Sequence, residues 1–242
     1  MLFGQPIKRR EDPRLITGKG RYVADLRVPG TVHAAILRSP HAHARIRSVD
    51  LADARRAPGV VFAAAGSDLG DYARPLPQLV PHPALRNAMP PPLAVDRVRY
   101  VGEGVAVVVA EDRYHAEDAL DRIRVEYELL PPVTDPTKAL APDAPVLHEA
   151  LGDNLVARWS VRSADVDAAL AGADHVLRER FVIVRGTAGF IETRGLHAVP
   201  DAAGKLTLWS ACQTPHTVQE GLMPMLGLPA CRAVVAIFFD YL

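Results

Sequence analysis

The sequence predicts a mixed helix-and-strand protein, of α/β or α+β class, divided into two units. Three observations carry this. A strand, helix and strand pattern runs through residues 98–129, and most other ordered segments are short and alternate apolar with polar residues. Pro131 to Pro145 then holds five prolines without any period, a composition shift that marks a boundary.

The elements follow in order. Arg10 to Leu26 (REDPRLITGKGRYVADL) reads as a structured arm, with Asp12-Pro13 starting one turn and Gly18 and Gly20 bracketing another. Thr31 to Arg38 and Ala44 to Asp50 are short strand segments separated by Ser39-Pro40-His41, which predicts a hairpin or neighbouring strands. Val60 to Ala64 is a third apolar run, and Pro75 to Pro92 is a proline-rich loop. Val98 to Val101 and Gly104 to Ala110 are strands, and the near-continuous apolar character of the second predicts burial on both faces. Asp112 is placed to cap a helix from Arg113 to Ile123, where Tyr114, Ala116, Ala119, Leu120 and Ile123 recur at helical spacing. Val125 to Leu129 alternates as a strand. This strand, helix and strand resemble a βαβ crossover, and an α+β arrangement is equally compatible.

Beyond the boundary, Asp165 to Ala173 predicts a short helix. Val176 to Arg185, Gly195 to Val199 and Lys205 to Ala211 predict strands. Pro215 suits the first turn of a helix through His216 to Leu226, which Gly227 ends and Pro229 keeps from resuming. Arg232 to Phe239 is a final apolar strand, expected to present an unpaired, aggregation-prone edge.

Composition excludes several function classes. The chain has 242 residues, 49% of them hydrophobic, enough for a sizeable core, and its 28 Lys plus Arg balance 28 Asp plus Glu. No overall field draws in nucleic acid or an anionic membrane. Apolar stretches such as Val105 to Ala110 fall short of the roughly 18 residues a spanning helix needs. Met1 to Arg10 lacks a secretory pattern, and Cys212 and Cys231 lack the close pairing of a metal site, so a reducing, cytoplasmic setting is expected.

Local chemical motifs are sparse. His41 and His43 would share one face of a strand, but no third ligand follows at metal-site spacing, and their place beside Ser39-Pro40 reads as a turn. There is no G-x-S-x-G nucleophile elbow and no phosphate-binding glycine loop. Gly102-Glu103-Gly104 would set a carboxylate where a phosphate should lie. The carboxylates Asp50, Asp53, Glu117, Asp118 and Asp121 read as solvated faces.

Longer words carry more. Arg10 to Leu26, Val32 to Val49 (VHAAILRSPHAHARIRSV), Val98 to Asp118 (VRYVGEGVAVVVAEDRYHAED) and Ala144 to Asn154 (APVLHEALGDN) together resemble the molybdopterin-binding large subunit of the xanthine dehydrogenase/aldehyde oxidase family, which includes aerobic carbon monoxide dehydrogenases. Arg180 to Gly195 (RFVIVRGTAGFIETRG) and Leu206 to His216 (LTLWSACQTPH) continue the likeness. The resemblance implies an α+β fold: an α/β hammerhead domain over residues 8–135, a proline-rich linker over 136–155, and the incomplete start of a molybdopterin-binding domain over 156–242.

One site residue transfers. The family pattern sets a glutamine at the end of a strand near the molybdenum, and Gln213 occupies that position. An amide can donate to one oxygen and accept from a ring N–H without adding charge. Glu192 and Arg194 read as a structural ion pair or backbone anchors, and Cys212 as a small buried residue. The resemblance assigns no catalytic residue and no protein metal ligand within this chain. After Leu226-Gly227-Leu228-Pro229, relatives continue to a GGGFGG-type cofactor loop and later to a glutamate base, whereas this sequence reads CRAVVAIFFDYL.

The chain is therefore expected to be about the first third of a large subunit, a truncated, split or frameshifted product, inactive alone. The parental chemistry implied is oxidation of aldehydes, purines or related substrates with water-derived oxygen at a molybdenum–molybdopterin centre. Electrons would leave through an iron–sulfur small subunit to an FAD-binding medium subunit. The alternative is a non-catalytic hammerhead module that docks on partner subunits.

Overall fold

A computed structural model describes residues 3–78, 82–162, 164–184, 186, 189–229 and 233–236. The ordered elements are α1 (Asp12–Leu15), β1 (His33–Arg38), β2 (Ala44–Asp50), α2 (Ala52–Arg55), β3 (Val60–Ala65), β4 (Arg97–Val98), β5 (Gly104–Ala110), α3 (Arg113–Leu120), β6 (Arg124–Leu129), α4 (Val166–Ala171), β7 (Leu196–Pro200), β8 (Leu206–Ser210), α5 (Pro215–Leu226) and β9 (Ala233–Ala236). They form three three-stranded sheets ordered β1-β5-β3, β4-β2-β6 and β7-β8-β9.

In the first sheet β5 is central and antiparallel to both neighbours, with Ile36 opposite Val107 and Ala64 opposite Val107 on its other side. Ala106, Val108 and Ala110 are fully buried on one face; on the other only Val105 is, with Val107 and Val109 half-buried, so the burial on both faces that the apolar run predicts is only partial. Val105 packs with Ala44, Ala94 and Val98 against the second sheet, while Val108 packs with Ala57, Ala63 and Ala119 beneath α3. Alanine at these contacts lets helix and sheet approach closely. Gly66 shows the same constraint at backbone level, since a Cβ there would fall on the Ala94 carbonyl. Gly59 (φ 71°) combines a left-handed turn with a close approach to the His115 ring.

One expectation about pairing is corrected, and one open alternative is decided in favour of the α+β arrangement. β1 and β2 are not a hairpin: β1 joins β5 and β2 joins β6 and β4, so the chain changes sheet at Ser39. Ser39 is buried there, its N–H donating to the Glu103 carbonyl at 2.8 Å and its own carbonyl accepting from Gly102 N–H at 2.8 Å. Nor do β5, α3 and β6 make a βαβ crossover. Both edges of β5 are already taken by β1 and β3, and β6 instead pairs antiparallel with β2. The βαβ unit lies further on, where β8 and β9 run parallel with α5 between them.

Helix α3 starts where expected, the Asp112 side chain accepting from His115 N–H at 2.9 Å. It stops three residues early. Arg122 and Ile123 N–H groups bond to the carbonyls three positions back, tightening the end into turns before β6. Asp165 caps α4 through Ala168 N–H at 3.1 Å. The strand expected over Val176 to Arg185 is absent among the described residues: 175–184 run without helix or strand, and Leu177, Phe181, Ile183 and Val184 are exposed. β-branched residues favour a sheet only where a neighbouring strand offers a ladder, and among the described residues none pairs with this segment. The last expected strand is confirmed over Ala233–Ala236, paired with β8, while Arg232 and residues 237–239 lie outside the described residues.

Candidate functional site

Gln213 sits in the turn joining β8 to α5. β8 alternates as KLTLWSA promised, with Leu208 buried, and its end is tied down by Ala211 N–H donating to the Gly195 carbonyl at 3.0 Å. Cys212 N–H bonds back to the Ser210 carbonyl at 2.9 Å, turning the chain outward. Pro215 occupies the first turn of α5, where its missing N–H costs nothing, and Gly227 closes the helix in the left-handed conformation at φ 65°. The Gln219 amide bonds to the Ala233 carbonyl, fastening α5 to β9. The turn is thereby held on both sides, and the Gln213 side chain projects from it exposed. It does not cap α5, whose first turn has no side-chain cap.

The neighbouring residues resolve differently. The Glu192 carboxylate accepts from Val23 N–H at 2.8 Å, which makes it the backbone anchor the sequence allowed. Among the described residues Arg194 forms no ion pair with it; Arg194 lines a groove of about 390 Å³ with Thr193, His33, Arg113 and Glu117. Gln213 borders neither this groove nor a second of about 330 Å³ formed by residues 139–158. Cys212 is a free thiol, half-buried rather than buried.

The histidines are engaged singly. His43 is buried, its Nδ1 2.7 Å from the Pro131 carbonyl, and His41 meets Tyr127 edge-on at 4.9 Å between ring centroids. They flank the start of β2 and share no ligand. His115 sits 2.8 Å from Asp112, and His197 packs edge-on against Trp209. His148 is held below its ordinary value by burial and then by the Arg99 charge. No group of three or more His, Cys, Asp or Glu capable of holding a metal occurs among the described residues.

Two buried charges escaped the sequence reading because nothing in spacing separates them from surface residues. Glu103 is buried in its turn and accepts from the Arg99 and Tyr100 N–H groups; burial pushes its carboxyl above the usual range despite those bonds. Arg97 is buried and reaches Glu149 at 2.8 Å, while Arg99 donates to the Leu147 carbonyl at 2.9 Å. Asn154 gathers the proline-rich stretch further, accepting from Leu147 N–H and donating to the carbonyls of Ala139 and Pro145. Residues 139–154 are thus strapped down through specific bonds.

The turn at Gln213 fits a neutral polar cofactor edge in chemical type. It presents an amide with no partner among the described residues, on a strand-to-helix junction held from both sides. Among the described residues it borders no enclosed site.

The fold defines the class: an antiparallel α+β domain of two sheets with the helices α1 to α3, followed by a βαβ-containing segment that carries the exposed amide. The family model "Aldehyde oxidase and xanthine dehydrogenase, a/b hammerhead domain" matches residues 17–131, and "Molybdopterin cofactor-binding domain" matches residues 147–237. The chain belongs to the xanthine dehydrogenase/aldehyde oxidase family of molybdopterin-binding large subunits. It is 37% identical to the nicotine 6-hydroxylase large subunit of Paenarthrobacter nicotinovorans, over 97% of this chain and 29% of that protein. It is 38% identical to the carbon monoxide dehydrogenase large chain of Afipia carboxidovorans, over 94% of this chain and 29% of that one. Quinoline 2-oxidoreductase from Pseudomonas putida 86 superposes with a TM-score of 0.89 at 39% identity, covering 97% of this chain and 30% of that one. The chain spans about 30% of the length of the relatives it matches. Among the described residues no helix is long and apolar enough to cross a membrane.

Proposed function

We propose that these residues supply the hammerhead domain (8–135), the strapped connector (136–155) and the first molybdopterin-binding segment (156–242) of a molybdenum hydroxylase large subunit. The cofactor, when bound, supplies two-electron oxidation with water-derived oxygen. The role of this chain's own residues is binding and orientation. Gln213 donates to and accepts from the polar edge of the molybdenum–molybdopterin, with its position fixed by β8 and α5 and without a charge that would oppose an anionic group. The observation that carries this is the pair of family matches in order along the chain, with an unengaged amide at the expected strand end.

An FAD-binding medium subunit and an iron–sulfur small subunit are the companions this reading requires, in the cytoplasm. Aldehydes, purines or related electrophilic carbons are the substrate class. The glycine-rich loop and the base glutamate of the resemblance are not among these 242 residues, so the 242-residue polypeptide alone turns nothing over.

The test is molybdenum content and dye-linked oxidation of aldehydes and purines, with the polypeptide alone and in the complex formed with its companions. The reading expects neither activity nor stoichiometric metal alone. In the complex, Gln213→Leu lowers molybdenum content while leaving the far-ultraviolet circular dichroism unchanged. Full metal content in that variant would overturn the role of Gln213, and turnover by the polypeptide alone would overturn its dependence on the rest.

A further inference from the structure

Residues 139–157 join the hammerhead to the part that carries Gln213, and three hammerhead arginines grip them. Arg97 reaches Glu149 at 2.8 Å, and Arg99 reaches the Leu147 carbonyl at 2.9 Å. Arg86 makes the most contacts. Its Nη1 donates to the Asp153 carboxylate and, at 2.9 Å, to the Leu155 carbonyl, while its Nη2 donates to the Leu151 carbonyl. Its backbone N–H donates to the Val156 carbonyl at 2.8 Å, next to an isolated bridge between Leu85 and Ala157. A guanidinium suits this task because its donors are fixed in one planar fork that can engage several acceptors together.

Asn154 lies between two of these grips. Arg86 fixes Asp153 before it and Leu155 after it, so the Asn154 backbone is held on both sides. The Asn154 amide in turn accepts from Leu147 N–H at 2.9 Å and donates to the carbonyls of Ala139 at 2.9 Å and Pro145 at 2.8 Å. A displacement of about 1 Å exceeds the range of such bonds, so moving residue 154 breaks all three together. Contacts at Arg86 are thereby passed to residues far along the segment. The hammerhead sheets do not depend on them: their strand ladders and apolar clusters include none of residues 139–157.

We propose that residues 139–157 form a latch with Arg86 as its bolt. Through Asn154, Arg86 holds the whole segment closed, and the segment opens and closes as one unit while the hammerhead sheets stay folded. The latch is a property of this chain's own contacts and goes beyond the cofactor reading, so it stands or falls independently of which group the chain binds.

Hydrogen exchange in increasing urea, below the unfolding midpoint, tests it on the full chain together with any polypeptides that copurify with it. The informative amides are Leu147, bonded to Asn154, and Leu151 and Leu155, bonded to His148 and Asp153. In the parent these amides share one opening, with a urea slope smaller than that of the β5 amides. Arg86→Ala speeds exchange about tenfold or more at all three, Leu147 included, and leaves β5 at the parent rate. Arg86→Lys keeps a charge beside Asp153 without the fork and falls between the two. Acceleration at Leu151 and Leu155 with Leu147 unchanged would reduce Arg86 to a local contact and overturn the latch. Exchange of the segment at the same rate and slope as β5 in the parent would also overturn it, since the segment would then open only with the hammerhead. That parent measurement decides the question even if Arg86→Ala does not fold.

Discussion

Val23 and Glu192, 169 residues apart, are joined by a 2.8 Å hydrogen bond from the Val23 backbone N–H to the Glu192 carboxylate. Val23 is buried, and its side chain lies 3.7 Å from the position a Cβ would take on Gly195. The bond therefore ties the N-terminal arm to the irregular segment that leads into β7. Glu192→Ala leaves a buried N–H without an acceptor and should cost about 1 kcal/mol. Glu192→Gln keeps an acceptor and should recover most of that. Urea unfolding and hydrogen exchange at the Val23 amide read both effects; an unchanged exchange rate in Glu192→Ala would remove the anchor.

Arg97 and Glu149 form an asymmetric pair, the arginine side chain 7% exposed and the glutamate 70%. Water can take the place of Glu149, so Glu149→Ala should cost under about 1 kcal/mol. Arg97→Ala also removes a buried stem packed in the hammerhead and should cost roughly 2–3 kcal/mol. Denaturant midpoints for the two variants give the comparison, and equal losses would contradict it.

Gly66 has no room for a side chain because its Cβ would meet the Ala94 backbone, which cannot rotate aside. Gly66→Ala should therefore destabilise the hammerhead by about 2 kcal/mol or more. Gly172→Ala, at the end of α4, meets only ordinary contact with the Ala168 carbonyl at 3.5 Å and should stay within about 0.5 kcal/mol of the parent. Thermal melts of both variants test the difference.

Glu103 sets a pH dependence. Burial raises its carboxyl above the ordinary 4.5, so between that value and its folded value the native state holds more protons than the unfolded chain. Its contribution to stability is then greatest at acid pH and falls as pH rises through this window. His148, lowered from 6.5 by burial and Arg99, acts in the opposite sense below 6.5. The Glu103 effect is consequently read as a difference: melting temperature of the parent minus that of Glu103→Gln should decline from pH 4.5 towards neutrality. A flat difference would show that the carboxyl titrates normally.

The site was legible only in part. Gln213 is singled out by its place in a longer family word, and the structure sets it exposed in the turn between Ser210, the end of β8, and Pro215, the start of α5. Glu103 and Arg97 could not be found that way. A charged residue in a turn or on a two-residue strand reads as solvated until the contacts that bury it are known.

Local chemistry in the sequence determined where elements begin and end: Asp112 and Asp165 cap helices, Pro215 opens one and Gly227 closes it, and alternation marks β8. Those features act over a few residues and need no distant partner. Strand pairing was decided only in three dimensions. The pattern of β1, β2, β5 and β6 is the same whether they form a hairpin and a crossover or two antiparallel sheets, and the choice fell to β5, whose two edges are taken by β1 and β3 from far earlier in the chain. Residues 176–184 show the converse: strand-forming side chains specify a strand only when another strand is beside them to complete its hydrogen bonds.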